Sequence, residues 1–254
     1  MIPTISKNDN NLNIKFDQKF IEGVEANTYR ATYKGNPTVA KFFINKSCIN
    51  NKVDKIKLIK ERTKNLDIVV TADAFIEENG SIVGYMMKYV KGINMYEEHL
   101  SYRPKMLIWY LKELANILKE LHKLNITAAD FPHNTILSEN KLYFIDHDNF
   151  FIDNYNIDKA NRLVLKYIEK KGKIDQNLDA FLLNLYTFCV FRHYYLPYIF
   201  ETYDSNKKLF DFRDEEITDL FKKTITLDES FNGEFIIDRI NSVKDIKKIK
   251  SKIF

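Results

Sequence analysis

Apolar and polar residues alternate over the first third of the chain in the way that predicts β-strands. Two tight-turn signals, Lys34-Gly35-Asn36 and Asn79-Gly80, interrupt this pattern, and both are typical of β-hairpins. Between them, Val53, Ile56 and Ile59 recur at helical spacing. We therefore predict one helix over residues 50–64 and an antiparallel group of five strands within residues 13–31, 37–44, 74–78 and 82–90.

The character of the chain changes after Gly92. Residues 107–124 carry apolar side chains at the spacing of a buried amphipathic helix. Two short strands, 135–137 and 142–145, flank a turn, and further helices are predicted over 160–170 and 178–195. The chain is thus predicted to be of the α+β class, with a β-rich part (1–90), a helical part (91–254) and a joint near residues 90–94.

Composition and charge exclude several classes of protein. With 45% hydrophobic and 14% aromatic residues the chain has too much buriable surface to be disordered. The net charge of +4 is small, and acidic residues are interspersed among the basic ones along most of the chain. No nucleic-acid partner is therefore expected. The most apolar stretch, 181–191, is shorter than the roughly 20 residues of a membrane span. No membrane association is expected, and the two distant cysteines, Cys48 and Cys189, favour a reducing cytoplasm.

One lysine interrupts an apolar strand. Lys41 lies within Thr38-Val39-Ala40-Lys41-Phe42, and a buried ammonium group requires a carboxylate or phosphate partner. Glu61, twenty residues further along and near the end of the predicted helix, is the expected carboxylate. The alternative is a lysine at a strand edge that points to solvent.

Three polar residues in the helical part suggest phosphate chemistry. Asp130 and Asn134 lie in a loop after the long helix, and Asp146 directly follows an apolar strand. In such an arrangement one carboxylate handles a hydroxyl group, while the Asn and the second carboxylate hold Mg²⁺ against phosphates.

In their order and spacing, these residues resemble the protein kinase-like superfamily over roughly residues 14–200. Val39-Ala40-Lys41 resembles the V-A-I-K strand, Asp130 falls at the Asp of the H-R-D loop, and Asp146 falls at the Asp of D-F-G. Residues 144–150 look most like the I-D-x-D-S-F variant of some bacterial kinase-like proteins. The resemblance implies a two-lobed fold that binds ATP and Mg²⁺.

The resemblance also implies a role for each matching residue. Lys41, held by Glu61, would orient the phosphates, Asp130 would accept or orient the substrate hydroxyl, and Asp179 would anchor the catalytic loop. Further nucleotide contacts are expected from the single glycine of the phosphate loop and from the hinge: Gly23, Met87, Lys88 and Val90. The expected Mg²⁺ ligands are Asn134 and Asp146.

Several departures from the family pattern leave alternatives open. Ala128 and Ala129 replace the His and Arg of the loop, so control by activation-loop phosphorylation is not expected. Thr135 stands at the family's Asn position, so either the loop shifts to let Asn134 bind Mg²⁺ or the Thr135 hydroxyl substitutes. Asp148 replaces the Gly of D-F-G and either adds a carboxylate to the metal site or caps the next turn.

The expected function is an atypical Ser/Thr protein kinase that transfers the γ-phosphate of ATP to a protein hydroxyl. The chain has no A-P-E-like platform for an extended peptide. Two alternatives are therefore kept. One is a pseudokinase that binds nucleotide and regulates a protein partner, and the other is a small-molecule kinase.

Overall fold

The structure is a computed structural model that describes residues 2–22, 26–44, 49–98, 103–153, 155, 160–194 and 196–250. It is of mixed α+β class, as predicted, and divides into two compact units. The first contains residues 1–92 and 138–148, and the second contains residues 93–137 and 149–254. The predicted boundary near residue 90 places residues 138–148 in the helical part, which differs from the structure. They belong to the first unit because the Phe144 amide donates to Ile68 O and the Val70 amide donates to Phe144 O, both at 2.8 Å.

The first unit is built on a six-stranded sheet with the strand order β1-β5-β6-β4-β3-β2. The strands pair antiparallel except for β1, which pairs parallel to β5 and was not predicted. Its elements are β1 (Thr4–Ser6), β2 (Leu12–Glu22), β3 (Ala26–Tyr33), β4 (Asn36–Phe43), α1 (Ile49–Arg62), β5 (Ala72–Glu78), β6 (Ser81–Lys88) and β10 (Lys141–Phe144).

Both predicted hairpins are confirmed. Lys34-Gly35 connects β3 to β4, and Asn79-Gly80 connects β5 to β6. All four residues have positive φ, between 49° and 79°. Two consecutive left-handed residues form the type I′ turn whose twist matches that of the flanking strands.

The two faces of the sheet bury different side chains. One face packs against α1 through a core that includes Val39, Phe43 and Tyr85 from the strands and Val53 and Ile56 from the helix. The other face carries smaller apolar residues, among them three alanines. Successive side chains along a strand point to opposite faces of the sheet. Lys41 is two residues from both Val39 and Phe43, so its side chain lies on the same face, towards α1.

The second unit is mainly helical. Helix α5 is buried from Leu178 to Val190 on all sides, as expected for a helix without a polar face, and it packs against α3 and α7. Among the described residues its elements are β7 (Ile93–Asn94), α2 (Met95–Glu98), α3 (Pro104–Lys123), β8 (Ile126–Thr127), β9 (Thr135–Ser138), β11 (Phe151–Ile152), α4 (Arg162–Lys171), α5 (Asn177–Arg192), α6 (Ile199–Ser205) and α7 (Glu215–Thr226). Within the described part of the chain, none of the helices has the length and apolarity needed to cross a bilayer.

Candidate active site

Lys41 is buried in the first unit and bound to two carboxylates. It lies on β4, between β3 and β6, and is only 7% exposed. Its ammonium nitrogen lies 2.5 Å from Asp146 Oδ1 and 2.9 Å from Asp148 Oδ1. The expectation that Lys41 would need an anionic partner is therefore confirmed, although the partners differ from the one predicted.

The predicted ion pair between Lys41 and Glu61 is wrong. Glu61 lies in the last turn of α1 with its side chain exposed, while Ile59 is fully buried. Two residues correspond to about 200° around a helix, so Glu61 points away from the face that packs on the sheet. The buried polar positions of α1 are instead Lys52 and Lys55. Separation along the sequence indicated that Glu61 was near the helix end, but it carried no information about the direction of the side chain.

Asp146 and Asp148 follow the end of β10. The backbone hydrogen bonds of Phe144 with Ile68 and Val70 fix the position of that strand end. Asp148 is almost completely buried, whereas Asp146 keeps 30% of its side chain exposed. The Lys55 ammonium group donates to the backbone carbonyl of Asp148 at 2.6 Å. This segment is therefore held from both α1 and β4, and it presents two carboxylates to one lysine.

The charges in this cluster shift one another's pKa values. Burial opposes the charged form of Lys41, but the carboxylates of Asp146 and Asp148 outweigh it and raise the Lys41 pKa well above its usual value. Burial also opposes ionisation of Asp148, yet the charge of Lys41 lowers the Asp148 pKa below its usual range. Burial and the negative charge of Asp148 raise the pKa of Asp146. Lys41 and Asp148 thus form a charged pair, and Asp146 is the carboxyl group that takes up a proton more readily.

Several buried polar atoms beside Lys41 lack hydrogen-bond partners. Within the described residues these atoms are Tyr85 Oη, Asp148 Oδ2 and both ring nitrogens of His147. Burial lowers the pKa of His147 to about 4, so its imidazole is neutral near pH 7. Such orphaned atoms are rare in folded proteins, and a catalytic role or a bound ion is among the explanations for them.

The remaining predicted nucleotide contacts fall at the end of a strand, just after it, and outside the described residues. Met87 is buried in β6, Lys88 is exposed at the end of that strand, and Val90 is partly buried just after it. Gly23 lies outside the described residues. The contacts of these four residues with a nucleotide stay predictions.

Asp179 anchors the loop that carries Asp130. The carboxylate of Asp179 is fully buried near the start of α5 and accepts hydrogen bonds from the amides of Ala128 and Ala129, both at 2.9 Å. It also lies 2.8 Å from His122 Nε2. Ala129 has a φ of 57°, a left-handed conformation that is unfavourable for a residue with a Cβ atom. The anchoring expected for Asp179 is confirmed, and it holds a strained backbone in place.

Two amides position the Asp130 carboxylate. Asn134 Nδ2 donates to Asp130 O at 3.0 Å and to Oδ2 at 3.2 Å, and Asn149 Nδ2 donates to the same Oδ2 at 3.2 Å. The other carboxylate oxygen, Asp130 Oδ1, accepts no hydrogen bond from the described residues. It is therefore available to a hydroxyl group. Sequence reasoning missed Asn149, although it directly follows Asp148 in the same polar string.

The structure distinguishes between Asn134 and Thr135. Thr135 is fully buried, its hydroxyl donates to Pro132 O at 2.7 Å, and it lies 3.0 Å from the hydroxyl of Tyr110. Its oxygen is therefore used within the core of the second unit. Asn134 is only partly buried and lies beside Asp130, so it is the better candidate for a ligand of the two.

No protein-family model matches the chain, and no curated protein matches it significantly. The candidate site therefore rests on its own geometry. The described residues contain no group of three or more His, Cys, Asp or Glu side chains arranged to hold a metal ion.

Proposed function

We propose that the protein is an ATP- and Mg²⁺-dependent phosphotransferase that transfers the γ-phosphate to a hydroxyl group. The observation that carries the proposal is the ion pair at 2.5 Å between Lys41 and Asp146, which are 105 residues apart in sequence. A buried lysine beside a carboxylate that follows a strand is the arrangement used to hold nucleotide phosphates and their metal ion. The resemblance to kinase-like proteins assigns Lys41 and Asp146 separately to the phosphates and to Mg²⁺, although it paired Lys41 with Glu61.

The proposal gives each residue a separate role. Lys41 binds the phosphates, and Asp130 accepts or orients the proton of the substrate hydroxyl. Asn134 and Asn149 hold the Asp130 carboxylate in one orientation, while Asp179 holds the loop. Catalysis of this kind consists mostly of positioning and charge neutralisation, so each of these groups is expected to matter strongly.

The residues present suit Mg²⁺ chemically. In nucleotide sites, Mg²⁺ is held by one or two carboxylates together with phosphates and water, which does not require a cage of protein ligands. Asp146 is partly exposed, and Asp148 Oδ2 is a buried oxygen without a hydrogen-bond partner among the described residues. Within the first unit, Asp146 and Asp148 are the residues that would hold the ion, which neutralises charge on the transferring phosphate when bound. Asn134, in the second unit, stays a ligand expected from the resemblance.

A pseudokinase is the second candidate function. Two observations favour it. Lys41 is occupied by two carboxylates, and the buried polar residues of α1 are Lys52 and Lys55 rather than the expected Glu61. Such a protein would bind nucleotide and regulate a partner without transfer. A small-molecule kinase is the third candidate and is consistent with the missing peptide platform.

Incubation with labelled ATP and Mg²⁺, alone and with cell lysate, discriminates between these functions. Labelled protein supports transfer to a protein hydroxyl, which the resemblance predicts to be that of Ser or Thr. A labelled metabolite supports a small-molecule kinase. Nucleotide binding without transfer supports the pseudokinase. Asp146→Ala should abolish turnover, whereas Asp54→Ala, an exposed position on α1, should not. Unchanged turnover in Asp146→Ala would reject the assignment.

A further inference from the structure

A cavity in the second unit opens beside Asp130 and has no role in the proposal above. Its volume is about 170 Å³. The walls come from the catalytic loop, from the start of α4, from α5 and from the short 3₁₀ turn at Leu196–Tyr198. We propose that this cavity binds the aromatic ring of the acceptor and presents a phenolic hydroxyl to Asp130, an inference that rests on the proposed phosphotransferase function.

The size of the cavity favours a single ring. An apolar cavity of about 150 Å³ is sufficient to bind benzene. A Ser or Thr side chain would leave most of the volume unfilled, and the apolar walls would gain little contact. A sugar-sized polar acceptor would bring several hydroxyl groups against these apolar walls without hydrogen-bond partners for all of them.

The lining is suited to an aromatic group. Phe131, Leu163, Leu182 and Leu196 are each less than 9% exposed and form apolar walls together with Pro197. Two further rings line the same cavity, those of Tyr96 and His133, with centroids 3.7 Å apart. Burying a ring against such walls gains most from its apolar area.

The polar groups of the lining favour a ligand with one hydrogen-bond donor. Arg162 is already engaged, since its Nη2 binds Glu201 Oε1 at 2.5 Å. The Asn161 side chain is used in capping α4, where it accepts from the amides of Leu163 and Val164. Partial desolvation lowers the pKa of His133, which favours a neutral imidazole. Asp130 is then the anionic acceptor in the lining, and a hydroxyl is the matching donor.

The reaction on such an acceptor balances without any additional reagent. The phenolic oxygen forms a bond to the γ-phosphorus of ATP, and the bond from that phosphorus to the β–γ bridging oxygen breaks. The bond electrons stay on ADP, and the phenolic proton passes to the Asp130 carboxylate and from there to solvent. The products are an aryl phosphate, ADP and one proton.

Binding of p-cresol to the full chain tests the cavity independently of catalysis. We expect p-cresol to bind at least about tenfold more tightly than toluene, because the hydroxyl adds a hydrogen bond to a charged acceptor. Leu163→Phe should weaken p-cresol binding at least tenfold by filling the cavity. Leu165→Phe, the same change on the same helix at a side chain that is 56% exposed, is the matched control. Leu196→Phe provides a second filling variant, and a cooperative thermal transition shows that each variant folds.

Transfer is then measured with ATP and Mg²⁺ on p-cresol, on a tyrosine-containing peptide and on a serine-containing peptide. Phosphorylation of the tyrosine peptide identifies a protein source for the phenol, and phosphorylation of p-cresol alone identifies a small molecule. Either result supports the inference. Transfer to the serine peptide with no transfer to either phenol overturns it but leaves the phosphotransferase standing. Failure of p-cresol to bind, or equal binding to the wild-type protein and Leu163→Phe, also overturns it. Absence of transfer to all three acceptors rejects the proposed function instead.

Discussion

At the scale of single residues, Lys41 is already bound by carboxylates of its own chain. Its ammonium group contacts Asp146 and Asp148, and Asp148 is only 2% exposed. A nucleotide phosphate that approaches Lys41 competes with these carboxylates for the same N–H donors. In the proposed nucleotide site, Asp148, which stands where the kinase-like pattern has a glycine, would act as an internal competitor as well as a metal ligand.

Replacing Asp148 with Asn should strengthen the binding of ATP in the absence of Mg²⁺. The substitution removes one competing negative charge while Asp146 still pairs with Lys41. A hydrogen bond to a charged group contributes about 1.5–3 kcal/mol, so we expect the Kd for metal-free ATP to fall at least about tenfold. Isothermal titration calorimetry in the presence of a chelator measures this Kd. Asp67→Asn, at an exposed position of the same unit, is the control, and an unchanged or weaker affinity in Asp148→Asn would contradict the competition.

Asp179→Asn should destabilise the loop that carries Asp130. The Asp179 carboxylate accepts from two backbone amides and approaches His122, so an Asn side chain would place an NH₂ group against at least one donor. Leaving a buried donor unsatisfied costs about 1–3 kcal/mol of unfolding free energy. Urea titration should show this loss, and phosphotransfer should fall as well. Asp175→Asn, at a side chain that accepts from the Tyr167 hydroxyl and the Asn177 amide rather than from the Asp130 loop, should retain transfer. Wild-type stability in Asp179→Asn would show that the anchoring is not needed.

At the scale of elements, β6 fixes the position of the strand that carries Lys41. Lys41 lies opposite Tyr85 across the β4–β6 pair, and Phe42 lies opposite Gly84. A Cβ atom on Gly84 would lie 2.2 Å from the backbone oxygen of Lys41 and 3.0 Å from Phe42 Cα. The two strands therefore approach so closely that only glycine fits at position 84.

Gly84→Ala should displace β4 and reduce both stability and nucleotide binding. Overpacking a buried site typically costs about 1–3 kcal/mol, and here the clash is with backbone, which cannot rotate away. Chemical denaturation and ATP titration measure the two effects. Ser81→Ala, at the exposed start of the same strand, should change neither quantity. A Gly84→Ala protein with unaltered ATP affinity would show that Lys41 tolerates movement of its strand.

Periodicity was a good guide to elements and a poor guide to side-chain partners. The strands around Gly35 and Gly80 and the helix that contains Val53 and Ile56 were predicted because they depend on local turn chemistry and local burial patterns. The partner of Lys41 was mispredicted because the true carboxylates lie more than 100 residues away and are brought close only by the folded chain. For the same reason, the close approach at Gly84 left no signal in the sequence.

At the scale of the whole molecule, the two units are interleaved along the chain. The segment 138–148, which carries Asp146 and Asp148, leaves the second unit and completes the first. Its neighbours in sequence, Asn134 and Asn149, belong to the second unit and bind Asp130. A linear boundary near residue 90 could not describe this arrangement, because hydrophobic patterning identifies elements but not the long-range pairing of residue 144 with residues 68–70.

Buried His147 should make the protein sensitive to acid below neutral pH. Its pKa is lowered to about 4 in the folded protein, from an unfolded value of about 6.5. The unfolded chain therefore binds the proton first as the pH falls. The stability that comes from a neutral His147 is fully present above pH 6.5 and is lost progressively down to about pH 4, by about 3 kcal/mol in total.

Urea denaturation at several pH values between 7 and 4 checks this expectation. The free energy of unfolding of the wild-type protein should fall by up to about 1.4 kcal/mol per pH unit for each additional proton that the unfolded state binds. His147→Gln should flatten this slope, because Gln does not titrate. His193→Gln, at an exposed position, should keep the wild-type slope. Equal slopes in all three proteins would show that unfolding does not change the protonation of His147 by itself. Either His147 is already protonated in the folded state, or a neighbouring group titrates together with it. The buried cluster around Lys41 would then carry a different charge from the one derived above.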